Sequence, residues 1–220
     1  MVASVTRIVE FGSQRAIVVN RYDRALANDG SLRRIHQEDL CQALSVMPDL
    51  KYESDGGPSA NRIASFITTS IVEPEAQRAL GQFVDALIYN WLLAAPDGHA
   101  KNYSVLLAQR AVRLAPLYDA ASALPYGDYF EPKIKLAMRI GRHYRVGSIG
   151  KTTWERQAQG MGLDTGVVIS RALEIAKQLP DVFTDVAKSY ADSSDARSFI
   201  STLTSRVIQR AQQCVALLST

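Results

Sequence analysis

A run of apolar residues between Pro74 and Pro96 constrains the fold more than any other part of the sequence. These residues recur at intervals of three and four, the spacing that places side chains on one face of an α-helix. They are Leu80, Phe83, Val84, Leu87, Ile88, Trp91 and Leu92. Proline is favoured in the first helical turn, so we predict that a helix begins at Pro74. A face this apolar requires burial, and the sequence therefore predicts a long core helix that ends near Pro96.

The residues before this helix predict a hairpin and a short helix. Residues 5–11 and 15–21 are rich in β-forming residues and flank a Gly-Ser-Gln turn, which is typical of a β-hairpin. A turn is predicted at residues 28–31 and a short helix around residues 38–45. A second helix is predicted at residues 61–68.

Short strands and then helices are predicted after the core helix. The predicted strands are residues 103–107, 111–114 and 134–140. The predicted helices are residues 152–161, 164–179, 181–190 and 194 to the end. Asp164 and Asp181 are suitable N-caps for two of them. The predicted class is α+β, mainly α-helical, with an N-terminal hairpin.

The composition predicts a soluble cytoplasmic protein. Of the 220 residues, 47% are apolar and the net charge is +3, which neither requires nor excludes a nucleic-acid partner. We expect no signal peptide and no membrane span. Cys41 and Cys214 lack metal-binding or redox spacing and are expected to be buried and reduced. Arg206 and Arg210, one helical turn apart, are interpreted as a solvated stripe rather than a DNA or partner contact.

A polar loop follows the core helix and carries the strongest chemical signal. Asp97 and Asn102 are five residues apart, and Asp119 follows after two predicted strands. Kinase-type phosphotransferases use a carboxylate to orient the attacking hydroxyl, and a carboxamide and a second carboxylate to hold Mg²⁺. Aspartate and asparagine are also common turn residues, so the spacing alone leaves that alternative open.

Longer segments around these residues resemble the HipA family of serine/threonine kinases. Residues 97–104 (Asp-Gly-His-Ala-Lys-Asn-Tyr-Ser) resemble the catalytic loop of that family, and residues 114–125 resemble its metal-binding segment. Further similar segments are residues 21–24, 37–42, 51–58 and 133–138. The matches are collinear from about residue 10 to residue 140, with a looser helical continuation.

The resemblance implies a protein-kinase-like C-lobe. Residues 1–24 would be a residual N-lobe hairpin and hinge, and residues 25–220 the HipA-like catalytic C-lobe. Asp97 would be the catalytic base or the hydroxyl-orienting carboxylate, and Asn102 and Asp119 would hold Mg²⁺.

The other site residues implied by the resemblance surround the nucleotide. His99 and Lys101 would shape the catalytic loop and its phosphate environment, although His99 also has the alternative of a hydrogen bond within the loop. Asn20 and Tyr22 would contact adenine at the hinge, and Tyr22 has the alternative of being a core residue. The implied cofactors are ATP and Mg²⁺.

The resemblance also implies partners and a cellular role. The partners would be a HipB-like antitoxin, through which DNA is contacted indirectly, and a protein substrate of the aminoacyl-tRNA synthetase class. Phosphorylation of that substrate would arrest growth. Only about twenty residues precede the hinge, and they contain no glycine-rich loop and no strand lysine. We therefore expect feeble activity or none from this chain alone. Full activity would need an N-lobe, supplied either by a longer native chain or by a separately encoded protein.

Two other functions stay open from the sequence. A non-catalytic kinase remnant would bind the antitoxin or the substrate without transferring phosphate. A small-molecule kinase of the aminoglycoside or choline type uses a similar Asp-to-Asn interval. Residues 37–42 and 51–58 favour the HipA type over this last alternative.

Overall fold

The computed structural model describes residues 2–108, 111–127, 133–190 and 194–220, with the side chains of residues 194–196 excepted. Its strands are β1 (Thr6–Phe11), β2 (Gln14–Val19), β3 (Arg24–Leu26), β4 (Leu32–Arg34), β5 (His36–Asp39), β6 (Ser104–Ala108), β7 (Ala111–Leu114), β8 (Lys135–Ile140) and β9 (His143–Arg145). Its α-helices are α1 (Leu40–Ala43), α2 (Ala60–Ser70), α3 (Glu75–Leu92), α4 (Lys151–Gly160), α5 (Thr165–Ser189) and α6 (Ser194–Ser219). The predicted α+β class with a predominance of helix is confirmed.

The strands within these described ranges form small antiparallel sheets. The pairs are β1–β2, β3–β4 and β8–β9, and the three-stranded sheet has the order β5–β6–β7. In the first hairpin Thr6 pairs with Val19 and Phe11 with Gln14, so the predicted N-terminal hairpin is confirmed. Residues 2–4 continue alongside Leu117, whose backbone N–H donates to Val2 O at 2.9 Å.

Helix α3 is the centre of the hydrophobic core, as predicted. Every apolar residue of the predicted face is buried. Trp91 packs edge-on against Trp154 of α4, with 5.7 Å between ring centroids. Burial of one large apolar side chain contributes about 1.5–3 kcal/mol, so this face fixes where the surrounding helices lie.

The region between the first hairpin and α1 differs from the prediction. The predicted turn at residues 28–31 connects two strands, β3 and β4, whose side chains are mostly exposed and therefore show no alternation of polar and apolar residues. Glu38 belongs to β5 rather than to a helix, because it pairs with Val105 of β6. Helix α1 begins only after Asp39, whose Oδ1 accepts hydrogen bonds from the N–H groups of Cys41 and Gln42.

The C-terminal helices confirm one predicted N-cap and correct another. Asp164 is an N-cap as predicted and accepts from Val167 N at 2.8 Å. Asp181 is not an N-cap, because α5 continues through Pro180. A proline removes one helical hydrogen bond, but the buried residues Ala176 and Leu179 keep this part of α5 against the core.

Arg210 is a core residue and not part of a solvated stripe. Its side chain is only 2% exposed. Its guanidinium lies 5.6 Å from the Trp91 ring centroid, and Nη2 donates to Trp91 O at 3.3 Å. Cys41 and Cys214 are buried and free, as predicted. Across the part of the chain described, no helix has both the length and the hydropathy needed to cross a bilayer.

Candidate functional site

The polar loop between α3 and β6 is held by close packing at its two ends. Ala94 follows α3 with a φ of 47°, so the chain turns sharply out of the helix. Gly98 lies so close to Asn90 that a Cβ atom at residue 98 would be 2.6 Å from Asn90 Nδ2. Asn90 cannot easily withdraw, because Nδ2 donates to Tyr103 Oη at 2.9 Å in the core. The loop that carries Asp97 therefore has a fixed position over α3.

Asp97 keeps one carboxylate oxygen available. Its side chain is 55% exposed. Oδ1 accepts a hydrogen bond from the Tyr52 hydroxyl and lies 3.7 Å from His99 Nε2. The bond to Asp97 raises the pKa of Tyr52 to about 12, so that hydroxyl stays a donor at neutral pH. Oδ2 has no partner among the described residues and is able to accept a further hydroxyl proton.

His99 is a buried neutral side chain beside that carboxylate. It is 6% exposed, and burial lowers its pKa although Asp97 opposes the shift. Its ring meets the Tyr52 ring edge-on, with 5.1 Å between centroids. Nδ1 has no hydrogen-bond partner within the described ranges. His99 therefore packs between Asp97 and the next part of the loop.

Asn102 and Asp119 meet directly. Asn102 is 3% exposed, its Oδ1 accepts from the His99 N–H at 3.1 Å, and its Nδ2 donates to Asp119 Oδ2 at 3.0 Å. Asp119 is exposed and has a φ of 56°, a conformation that is uncommon for residues other than glycine. Backbone strain of this kind is frequent at ligand-binding sites.

These two side chains fit a magnesium ion. A carboxamide oxygen has two lone pairs, and Asn102 Oδ1 uses only one of them. Asp119 Oδ1 has no partner in the part of the chain described. Mg²⁺ prefers oxygen ligands and commonly takes only one or two from a protein, with phosphate oxygens and water completing its shell. One carboxamide oxygen from Asn102 and one carboxylate oxygen from Asp119 therefore suit Mg²⁺ that is bound together with a polyphosphate.

Lys101 is engaged in an ion pair. Its Nζ lies 2.6 Å from Asp39 Oδ2, and both side chains are largely withdrawn from solvent. Asp39 caps α1 at the same time, so the pair ties the loop to that helix. The sequence did not indicate Asp39, because the contact joins residues that are 62 positions apart.

A cleft of about 820 Å³ lies between the first hairpin and residues 117–121. Asn20, Tyr22 and Asp119 line it, whereas Asp97, His99, Lys101 and Asn102 do not. The Tyr22 ring stacks on that of Tyr118 at 6.3 Å with an interplanar angle of 26°. The structure therefore brings the two predicted adenine-binding residues and one predicted metal ligand to a single cavity.

A polar network joins this cleft to the loop, and sequence reasoning missed it. Gln37 Nε2 donates to Ser104 Oγ at 3.1 Å. Ser104 Oγ lies 2.6 Å from Tyr118 Oη, which also donates to Lys101 O at 2.6 Å. All three residues lie in segments that resemble the HipA family, but the resemblance did not indicate that they contact one another.

Tyr52 was also missed as a site residue. Its neighbour Glu53 is buried and ion-paired with Arg139, whose Nε lies 2.6 Å from Glu53 Oε1. Gly57 leaves no room for a side chain, since a Cβ would lie 2.3 Å from Leu50 O. These contacts hold Tyr52 against Asp97. Residues 51–58 resemble a HipA segment, but that resemblance did not indicate that Tyr52 contacts Asp97.

Comparisons with known proteins agree with this geometry. A family model described as the HipA-like C-terminal domain matches residues 1–187. The Sinorhizobium fredii protein Y4mE, which is named as a kinase, is 34% identical to this chain over 194 residues. The match covers 86% of this chain and 45% of Y4mE. The serine/threonine-protein kinase toxin HipA of Shewanella oneidensis is 27% identical over 219 residues, covering 94% of this chain and 49% of HipA. The chain thus spans about half the length of the curated relatives it matches.

Solved structures give the same result for the fold. A chain of the Shewanella oneidensis MR-1 toxin–antitoxin complex of HipA, HipB and operator DNA superposes with a TM-score of 0.88 at 26% identity, over 100% of this chain and 53% of that chain. The Helicobacter pylori kinase CtkA superposes with a TM-score of 0.59 at 12% identity, over 99% of this chain and 76% of that chain, a likeness of fold alone. The predicted kinase-like lobe and the resemblance to HipA are confirmed.

Proposed function

Because the chain belongs to the family of HipA-like C-terminal domains, we propose that it carries the phosphotransfer site of a serine/threonine protein kinase that uses ATP and Mg²⁺. The observation that most supports this is the 3.0 Å hydrogen bond from Asn102 Nδ2 to Asp119 Oδ2, which holds Asn102 beside the predicted metal ligand that lines the cleft with Asn20 and Tyr22. Metal-binding oxygens beside a cavity with a stacked aromatic wall are what a bound nucleoside triphosphate needs.

The proposed mechanism assigns one task to each group. When bound, Mg²⁺·ATP supplies the γ-phosphoryl group. Asn102 and Asp119 would hold the metal ion, which would neutralise charge on the phosphates, and Tyr22 and Asn20 would line the adenine end of the cleft. Asp97 Oδ2 orients the substrate serine hydroxyl and receives its proton as the serine oxygen–phosphorus bond forms and the bond to the departing ADP breaks. His99 is neutral and orients the loop.

The division of the chain follows from this assignment. We assign residues 1–24 to a hairpin and hinge of the N-lobe type that borders the nucleotide, and residues 25–220 to the catalytic lobe. Ser4 N donates to Leu117 O at 2.8 Å, two residues before Asp119, which supports a hairpin placed over the metal-binding segment. Lys101 acts through its pair with Asp39, by holding the loop near the phosphates.

The partner and the substrate class are carried over from the family. The similar Shewanella oneidensis structure contains HipA with HipB and operator DNA. We propose a HipB-like antitoxin as the partner of this chain, with DNA contacted through it, and an aminoacyl-tRNA synthetase serine as the phosphate acceptor. Together these make the chain part of a growth-arresting toxin.

A single-turnover transfer assay tests the kinase proposal. The protein is used in excess over γ-labelled ATP and Mg²⁺, with purified aminoacyl-tRNA synthetases as acceptors, so that slow transfer is measurable. We expect Asp97→Asn to lower the rate by at least about 10³-fold, since orientation and proton acceptance by the carboxylate are lost together. Asp49→Asn, which alters an exposed carboxylate in another loop, is the matched control. Measurable transfer by the wild type that Asp97→Asn leaves unchanged would contradict the proposal.

A further inference from the structure

The β8–β9 hairpin concentrates positive charge on one surface. Residues 133–145 contain five Lys or Arg residues and no Asp or Glu. Since the whole chain has a net charge of +3, all residues outside this segment together carry −2. The cations lie on the exposed side of the hairpin, whereas Leu136, Met138 and Ile140 face the core. The charge is therefore a local property of this hairpin and not of the protein as a whole.

Three of these cations are unpaired among the residues that the structure describes. Lys135, Arg142 and Arg145 form no ion pair or hydrogen bond with any residue in the described ranges, while Arg139 is paired with Glu53. Lys135 and Arg145 stand directly opposite each other across the two strands. Like charges at opposed positions destabilise a sheet by a few tenths of a kcal/mol or more, so this arrangement does not serve folding.

The hairpin lies directly behind the loop that carries Asp97. Leu136 and Met138 of β8 share a small cavity with Ala95 and Gly98 of that loop. On the outer side, the backbone N–H of Arg139 donates to Glu53 Oε2 at 2.8 Å. Glu53 follows Tyr52, whose hydroxyl contacts Asp97. The hairpin that carries the unpaired cations is thus linked by two sets of contacts to Asp97, which accepts the substrate hydroxyl proton in the proposed mechanism.

We propose that the β8–β9 hairpin is a docking surface for an acidic segment of the protein substrate. The proposal rests on the proposed kinase function, because it is the closeness to Asp97 that makes a serine-bearing segment the occupant. An acidic peptide lying along the hairpin neutralises Lys135, Arg142 and Arg145 and relieves their mutual repulsion. A single-stranded nucleic acid fits less well, because stacking platforms are needed and this hairpin has no exposed large aromatic side chain among the described residues.

Binding of a labelled peptide tests the docking surface without any need for turnover. The probe is a twelve-residue glutamate-rich peptide with one serine, and its dissociation constant is measured by fluorescence anisotropy at low and at physiological salt. For Lys135→Glu together with Arg145→Glu we expect the constant to rise by about tenfold, from the loss of two attractions and the gain of two repulsions. Higher salt weakens wild-type binding, because exposed charges are screened over about 8 Å at 0.15 M.

A single substitution separates docking from folding. Lys135→Glu places a carboxylate opposite Arg145, so the melting temperature should stay equal or rise while peptide affinity falls about threefold. The matched control for the double variant is Arg33→Glu with Arg34→Glu, which reverses two exposed cations on the other short hairpin and changes the net charge by the same amount as Lys135→Glu with Arg145→Glu. We expect this control to bind the peptide as the wild type does.

Each outcome decides the proposal. Unchanged binding by the β8–β9 variants, or an equal loss in the Arg33 and Arg34 control, would overturn it. So would a loss of affinity confined to an RNA or DNA oligonucleotide of the same charge, which would make the hairpin a nucleic-acid surface. If the peptide docks as expected but Mg²⁺·ATP does not bind, the docking surface stands and the kinase proposal fails.

Discussion

Tyr52 determines which oxygen of Asp97 remains available. Its hydroxyl occupies Oδ1, its ring is held edge-on against the buried His99, and its neighbour Glu53 is fixed by Arg139. A hydrogen bond to a charged group is worth about 1.5–3 kcal/mol. Loss of that bond frees the carboxylate to rotate, so Tyr52 acts as a positioning residue through Asp97.

Removal of the Tyr52 hydroxyl should slow phosphate transfer without weakening nucleotide binding. We expect Tyr52→Phe to lower the single-turnover rate by about tenfold, which corresponds to the loss of one such hydrogen bond. The affinity for ATP should not change, because Tyr52 does not line the cleft. In an Asp97→Asn background the same substitution should have no further effect. Tyr144→Phe removes a hydroxyl near Glu53 and serves as the control; an equal loss there would count against positioning.

Asp23 should make the protein sensitive to acid. The guanidinium groups of Arg21 and Arg24, both 2.5 Å from Oδ2, hold the pKa of this buried carboxyl at about 2, below its ordinary 3.8. A lowered pKa stabilises the fold above pH 4, and this contribution is lost as the pH falls through 2. We expect Asp23→Asn to reduce the free energy of unfolding by about 2 kcal/mol at neutral pH.

Urea unfolding as a function of pH measures this contribution. The difference between wild type and Asp23→Asn should be constant from pH 7 to pH 5 and shrink below pH 4. Asp181→Asn, at an exposed position of α5, should show no difference at any pH. A difference for Asp23→Asn that persists unchanged at pH 2 would show that the carboxylate charge is not the cause.

At the scale of elements, the success of sequence reasoning followed the strength of the local pattern. Helix α3 was predictable because its buried face repeats over eighteen residues. Strands β3 and β4 were not, because three-residue exposed strands leave no alternation to detect. Helix α5 was divided wrongly at Pro180, since the packing of Leu179 on the core outweighs the hydrogen bond that proline removes.

The same limit applies to the site. Asp97, Asn102 and Asp119 were indicated by spacing and resemblance, because they lie in two segments that follow one another closely. Tyr52 and Asp39 lie in resembling segments too, but their contacts with Asp97 and Lys101 were not indicated, since those partners lie 45 and 62 positions away. Contacts of that kind depend on how the loops pack, which local residue patterns do not encode.

Gly98 should be required for the shape of the loop that carries Asp97. A methyl group at this position meets Asn90 Nδ2 at 2.6 Å, and Asn90 is fixed by Tyr103. We expect Gly98→Ala to lower the free energy of unfolding by about 1–3 kcal/mol and to displace Asp97. Gly81→Ala, on an exposed part of α3 with open space around it, should instead stabilise the protein by about 0.5–1 kcal/mol. Thermal unfolding of the two variants measures both effects, and equal stability of Gly98→Ala and wild type would contradict the account.

At the scale of the whole molecule, the cleft joins the first hairpin to the segment after β7. Tyr22 lines the cleft from the residues that follow the hairpin, and Tyr118 and Asp119 line it from the segment after β7. We expect Tyr22→Ala to weaken ATP binding by about tenfold, since stacking of a base on an aromatic ring is worth about 1–3 kcal/mol. Tyr190→Ala, which removes an exposed ring at the end of α5, should leave the dissociation constant unchanged. Isothermal titration calorimetry with ATP compares them, and equal constants for Tyr22→Ala and wild type would place adenine elsewhere.

The most direct test of the account is the dependence of nucleotide affinity on Mg²⁺ and on Asp119. Titration of a non-hydrolysable ATP analogue, with Mg²⁺ and with EDTA, gives that dependence for the wild type and for Asp119→Asn. We predict that Mg²⁺ tightens binding at least about tenfold in the wild type, and that Asp119→Asn abolishes this gain while keeping the weaker affinity measured in EDTA. Equal affinity of the wild type in Mg²⁺ and in EDTA, or a gain that survives Asp119→Asn, would contradict the assignment of Asn102 and Asp119 as the magnesium site.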